Sequence, residues 1–242
     1  MYAANSVDRQ FLIVELRGHG TAALPAWIEL FDNEAKDWGL HIMVADELLA
    51  LGPAAAPAIP TVARILREGF LGREMILHPQ LPDEFEDIFA HRDDGRWKAR
   101  EVLSAIGAAS VESVREVLTD SRSRARQDAA VTLGQIGGDA APALGDLAAM
   151  VADEDKTATA AAMWALGEIG AFAEIEAPVL QALATALGDE SWVVRLEAVK
   201  ALAKCKGKAA PVRAELEKLV DDPVVEVANH AVHALGEIKL PE

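Results

Sequence analysis

Apolar residues recur along this chain at helical spacing, and the pattern they make recurs in turn. Its clearest copies are AAVTLGQIG (129–137), AAMWALGEIG (161–170), EAVKALAKCK (197–206) and HAVHALGEI (230–238). A fixed period of about 33 residues marks a stack of similar units rather than one globular core. With the leucine of A-L-G-x-I-G as anchor, the pattern falls at Leu16, Leu48, Leu103, Leu133, Leu166, Leu202 and Leu235. Four residues before the anchor stands Ala99, Ala129, Ala162, Ala198 or Ala231. That spacing puts the alanine on the anchor's face, where a small side chain lets a neighbouring helix come close. Four residues after it stands Gly20, Gly52, Gly107, Gly137 or Gly170, a predicted helix stop. Nine residues after it stands Pro25, Pro57, Pro142 or Pro211, suited to the first turn of a second helix. Each unit therefore reads as helix, glycine turn, proline-started helix.

A second signal keeps the same register. Asp120, Asp153, Asp189 and Asp222 stand thirteen residues before an anchor, and Arg9, Arg96, Arg126 and Arg195 stand seven before. The aspartate falls where a helix begins, as a cap or turn residue. The arginine shares the anchor's face, so its stem can pack at the core edge while its guanidinium reaches aspartates and turn carbonyls. A structural ladder of such groups is predicted along one edge, with Asp120, Asp153, Asp189, Asp222, Arg96, Arg126 and Arg195 as its members.

The pattern D-x-x-x-x-[VA]-R-x-x-A-x-x-A-L-G-x-I-G resembles HEAT-type repeats, specifically the short HEAT-like class also found in phycobilisome lyase subunits. It is cleanest over Asp189–Leu202 and Asp120–Gly137 and extends over roughly residues 6–240. It departs at His41, Thr159 and Ala228, where arginine is expected, and at Lys206 and Lys239, where glycine is expected. The resemblance implies an all-α fold, a right-handed α-α superhelix of about six to seven helical hairpins. Residues 1–242 are read as one such solenoid, in which the second helices line the concave side. Those helices are expected near Pro25–Phe31, Pro57–Arg67, Val111–Leu118, Pro142–Val151, Pro178–Leu187 and Pro211–Val220.

Irregularities in the repeat are the places to look for contacts. The 55-residue step from Leu48 to Leu103 holds an irregular insertion near 69–91 with the acidic run PDEFEDIF. Read as an added helix it covers the solenoid flank; read as a loop it makes Phe85 and Phe89 candidate partner contacts. A shorter insertion follows Gly170 and carries Phe172. Trp164, two residues before its anchor, is predicted to point away from its own helix's core face, as a partner anchor or under the inserted turn. The first predicted helix is apolar over Phe11–Val14 and Leu16, and the last has no following partner helix. Self-association through Phe11–Leu16 and Val227–Ile238 is the corresponding expectation.

Composition narrows the function. Net charge is −16, which disfavours phosphate backbones and anionic membrane surfaces as partners. No nucleic acid and no membrane are expected, the latter also because no stretch approaches the roughly 18–20 apolar residues of a spanning helix. The first residues do not read as a signal peptide, and the lone Cys205 excludes an internal disulfide framework, so a cytoplasmic protein is expected. Cys205 takes an isoleucine position and reads as a buried small apolar residue. His230 and His233, three apart with Glu226 and Glu237 on the same stripe, are weak metal candidates; as an ordinary stripe of a solvated helix they need no metal. No phosphate loop, nucleophile elbow or zinc-protease motif occurs. No cofactor and no catalytic residue is assigned.

The function expected on this basis is a non-catalytic protein-interaction scaffold or adaptor. It would bind a protein or peptide, with a basic segment favoured by charge, on its concave face or ends. The alternatives are a bilin lyase-like or chaperone-like enzyme subunit, implied by the resemblance alone, and a repeat appendage of a larger enzyme.

Overall fold

The structure is a computed structural model that describes residues 15–32, 38–69 and 95–238, with backbone alone at 38–40. The insertion near 69–91, with Phe85 and Phe89, lies outside the described residues apart from Gly69, as does Phe11–Val14. Among the described residues the regular elements are all helical. They are α1 (Leu24–Asp32), α2 (Trp38–Leu51), α3 (Ile59–Glu68), α4 (Arg96–Ile106), α5 (Val111–Val117), α6 (Ser123–Ile136), α7 (Leu144–Ala149), α8 (Lys156–Gly170), α9 (Ala177–Ala186), α10 (Trp192–Cys205), α11 (Arg213–Glu217) and α12 (Val225–Glu237). Two compact units, Met1–Ser113 and Val114–Glu242, divide the chain within α5.

In the first unit α2 and α3 pack on α4, and α1 packs on α2. The core between them holds Trp27, Phe31, Leu48, Ile65, Leu66 and Leu103. His41, at a position where the repeat calls for arginine, is buried, with its ring tilted against Phe31 at 5.9 Å between centroids. The sequence expectation that no stretch is long and apolar enough to span a membrane does not hold. The helical run His41–Glu68 is long and apolar enough to cross a membrane by length and composition. It is not one rod, however. Gly52 takes φ +53°, and the 3-10 segment Gly52–Ala58, with Pro53 and Pro57, breaks the run into α2 and α3. Val44, Leu48, Val62 and Leu66 from the two halves are buried in the protein core.

In the second unit α6 and α7, α8 and α9, and α10 and α11 form successive hairpins, followed by α12. The first helices pack in order, α6 on α8, α8 on α10 and α10 on α12, while α7 packs on α9. Anchors Leu133, Leu166 and Leu202 are fully buried, as are Ala129, Ala162, Ala198 and Ala231 four residues before their anchors. Helix α8 lies between two first helices, and eleven of its fifteen residues are buried. Its run of alanines explains how it fits, because methyl side chains let α6 and α10 close in on both flanks.

The turns refine the expected grammar. Gly107 and Gly137 end α4 and α6 at φ +75° and +73°, where a β-carbon would be strained. Gly170 does not act as a stop: α8 runs through it and its cap Ala171 is right-handed. Space is tight there instead, since an added Cβ would stand 2.7 Å from Ile175 Cδ1 and 3.0 Å from Cys205 Sγ, side chains that would have to shift to admit it. Pro57, Pro142 and Pro211 sit inside 3-10 segments that precede the second helices, not in the first turn of an α-helix. The tighter 3-10 winding lets each short turn deliver the chain directly into the second helix.

Candidate protein-interaction surfaces

The edge where the first helices begin is built by one repeated device. Asp120, Asp153, Asp189 and Asp222 each accept, through Oδ1, the backbone N–H two residues on, at 2.9, 2.8, 2.8 and 2.8 Å. These are Asx turns, so the aspartates shape the approach to the helix and are not its N-caps. The cap residues are Arg122, Asp155, Ser191 and Val224. Asp155 alone among these four caps with its side chain, accepting from the N–H groups of Thr157 and Ala158 at 2.8 and 3.4 Å. The Thr157 and Ser123 hydroxyls also donate to it, and this set of donors lowers its carboxyl to about 2.

Arginines then tie one repeat to the next. Arg126 holds Asp153 with Nε and Nη2 at 2.6 and 2.7 Å, and Arg195 holds Asp222 the same way at 2.8 and 3.0 Å. Their Nη1 groups reach back to the carbonyls of Asp120 and Asp189 at 2.8 and 2.9 Å. The fork geometry raises both guanidinium pKa values and holds the Asp153 and Asp222 carboxyls below the usual range. Where arginine gives way to Thr159, the ladder changes hands. The buried Thr159 hydroxyl donates to the Met150 carbonyl at 3.2 Å, and Lys156 Nζ supplies the cation to Asp189 at 2.9 Å. Arg96 directs Nε to the Leu66 carbonyl at 3.1 Å and Nη2 to that of Arg67 at 3.3 Å, and Asp120 is held by Arg122. Sequence reasoning missed Lys156, whose signal was a cation three residues before the vacant arginine position.

The aromatic candidates fare differently. Trp164 is half-buried and lies against Gly134 of the preceding repeat, where any Cβ would strike its ring. Lys204 Nζ stands over its ring, 6.0 Å from the centroid, and pairs with Glu168. Trp164 thus points away from its own helix's core face, as the spacing predicts, and that face meets the neighbouring repeat. Phe172 is 79% exposed, with its Cβ 3.0 Å from where a Cβ on Gly138 would stand. Lys208 fastens the inserted turn behind it through the carbonyls of Gly170 and Ala173, at 3.0 and 2.8 Å.

In the last repeat Val227, Ala231, Ala234 and Ile238 are buried in the protein's own core, so of the expected assembly segment Val227–Ile238 the large apolar side chains left accessible are exposed Val232 and half-buried Leu235; Val225, just before it, is exposed too. Arg213 closes the end of α12 by donating to the carbonyls of Leu235 and Ile238 at 2.7 and 2.8 Å. His230 Nδ1 lies 2.8 Å from the Glu226 carbonyl, and no group of three or more metal-ligating side chains occurs among the described residues. Cys205 is buried, and burial pushes its thiol up to about 11, so it is packing rather than a nucleophile.

The second helices of this unit present small and polar groups outward. Gly145 and Ala149 on α7, Gln181 and Thr185 on α9, and Ala214 and Glu217 on α11 are exposed. Between α5 and α7, Arg115 Nε pairs with Asp146 at 2.6 Å.

Comparison with known proteins places this architecture. The family model described as HEAT repeats matches residues 180–242. No curated protein matches the chain. An engineered protein solved by a structural-genomics consortium is similar at 18% identity and TM-score 0.56, covering 90% of this chain and 99% of that one. A designed armadillo repeat protein in complex with the peptide (KR)4 is similar at 18% identity and TM-score 0.53, over 89% of this chain and 99% of that one. Computationally designed armadillo repeat proteins for modular peptide recognition give 18% identity and TM-score 0.51, over 89% and 100%. The chain is thus an all-α repeat solenoid of the HEAT and armadillo-like fold, with HEAT repeats matched over its last quarter.

Proposed function

We propose that this protein is a non-catalytic interaction scaffold that binds a basic segment of a partner protein along its second-helix face. The observation that carries this reading is the row of small, polar, outward residues on α7, α9 and α11, set in register by the stack. Such a surface is smooth enough for an extended chain to lie against and offers hydrogen-bonding groups at a regular spacing. The net charge of −16 selects for a cationic segment and makes its capture salt-sensitive. Stacks of this type present the second helices on their concave side, and one solved relative of this fold is a complex with an alternating Lys-Arg peptide.

The test is fluorescence anisotropy with a labelled Lys/Arg-rich peptide, an acidic peptide of equal length and a neutral one. Only the basic peptide is expected to saturate, with affinity falling as salt rises. Placing cations on the face, as Gln181→Arg with Thr185→Arg, is expected to weaken it ~10-fold. Equal binding of the acidic peptide, or indifference to these two changes, would overturn the reading.

A further inference from the structure

The row of residues that opens each first helix changes character along the second unit. Ten residues before the anchors stand Ser123, Lys156, Trp192 and Val225 in successive repeats. Equivalent positions on stacked helices are neighbours, so these four form a line along the ladder edge. The first two are polar, and Lys156 is spent on Asp189. The next two are apolar and exposed, Trp192 at 44% and Val225 at 72%.

Further apolar residues join them. Val193 follows Trp192, and Val220 stands two residues before Asp222; both are exposed. The Arg195–Asp222 fork holds these segments together, because Arg195 is one helical turn beyond Trp192 and Asp222 lies between Val220 and Val225. Of the six exposed large apolar side chains among the described residues, four therefore fall on this one edge. Scattered apolar residues on a surface mean nothing, whereas four gathered across two repeats form a contact patch.

The rim of the patch is acidic. Asp189 and Asp222 are neutralised by Lys156 and Arg195, but Glu190, Asp221 and Glu226 are exposed and make no side-chain hydrogen bond or ion pair among the described residues. Lys218, at the start of the Lys218–Asp221 turn, is an exposed cation three residues before Asp221, and among the described residues it makes no ion pair. Glu190 feels Lys156 at longer range without pairing with it, and an exposed tryptophan beside such unpaired carboxylates fits a guanidinium or ammonium group, which the ring face attracts and the carboxylates pair. The valines beside it fit an aliphatic neighbour of that cation.

We propose that the N-terminal edge of α10 and α12 docks an extended partner segment in which an arginine or lysine stands next to an aliphatic residue. This rests on the reading of the protein as an interaction scaffold but places a contact on a different surface from the second-helix face. The edge is already rigid, since Asx turns and the arginine fork fix the backbone on both sides of Trp192 and Val225. Binding there costs little ordering of the protein itself.

A fluorescein-labelled peptide alternating arginine and leucine tests it by anisotropy, beside peptides alternating arginine with serine and glutamate with leucine. Saturable binding of the arginine–leucine peptide at low salt is expected, with the other two at least ~10-fold weaker. Trp192→Ser, and separately Glu190→Lys with Glu226→Lys, are each expected to weaken binding ~10-fold. All three positions are exposed, and circular-dichroism melts confirm that the variants fold. Undiminished affinity in both edge variants overturns the proposal. If Gln181→Arg with Thr185→Arg then abolishes binding, the edge inference fails while the second-helix reading stands. If the edge variants lose binding and the α9 variant keeps it, the edge is the site and the second-helix face is not. Light scattering covers the remaining occupant: a dimer dissolved by Trp192→Ser would show that the patch serves a second copy, and would overturn the proposal.

Discussion

Lys206 sits in a backbone conformation that its side chain resists. Its φ of 52° and ψ of −132° come close to those of Gly107 and Gly137, the glycines at the same point of earlier repeats. The repeat grammar calls for glycine here, and the surrounding structure imposes the glycine geometry regardless of the residue. Lys206→Gly is therefore expected to stabilise the protein by about 1 kcal/mol, read as a rise in the denaturant midpoint with unchanged slope. Asp155 is the second residue with a readable cost. Its folded carboxyl is lowered to about 2 from an ordinary 3.8. A depressed carboxyl gives stability that is complete above its unfolded pKa and lost as pH falls through the folded one. Asp155→Ala is expected to cost about 1 kcal/mol at neutral pH, with the gap from the natural protein closing as pH falls from 3.8 toward 2. Urea melts across that window check both size and sign. A gap that widened in acid would contradict the assignment.

Between elements, the glycines of A-L-G-x-I-G do work that periodicity within one helix does not reveal. A Cβ at Gly167 would stand 2.6 Å from Ala201 Cα, and one at Gly134 would enter the Trp164 ring. Gly145 meets nothing within 4 Å. The prediction is a split among chemically identical changes. Gly167→Ala should cost about 1–3 kcal/mol because backbone cannot retreat. Gly145→Ala should be neutral or stabilising by about 0.5–1 kcal/mol, since helical glycine is entropically costly. Thermal melts of the two variants decide it. The inter-repeat fork gives a matching test. Arg195 and Asp222 have side chains 14% and 5% exposed, so removing one partner leaves a largely desolvated charge. A double-mutant cycle on Arg195→Ala and Asp222→Ala is expected to return a coupling of about 1–3 kcal/mol, and a coupling near zero would make the fork ornamental. What Trp164 packs against was not legible from sequence. Helical spacing gives a side chain's direction relative to its own hairpin, and says nothing of a glycine roughly one repeat earlier that opens space on the other side.

At the scale of the molecule, the repeat register was legible because the same physical demand recurs: Leu133, Leu166 and Leu202 fill equivalent core positions, and Asp153, Asp189 and Asp222 bend equivalent turns. What recurs can be read without coordinates. The exposed row of Trp192 and Val225 was not legible, since its partners in space come from different repeats and its meaning lies in a departure from the pattern. The excess of negative charge also acts on the whole chain. Self-repulsion favours expansion, so moderate salt is expected to raise the melting temperature even as it weakens capture of a basic peptide. A melting temperature that fell with added sodium chloride would show that the paired charges outweigh the unpaired ones. Helix α8 has eleven of fifteen residues buried and neighbours on both flanks, so exposing its amides to solvent means parting it from α6 and α10 together. Native-state hydrogen exchange should find its amides among the slowest in the unit, opening in the same event as their neighbours, with the short α11 exchanging far sooner. The unit then opens as one cooperative block, so a partner that grips α10 or α12 is expected to slow exchange in α8 as well.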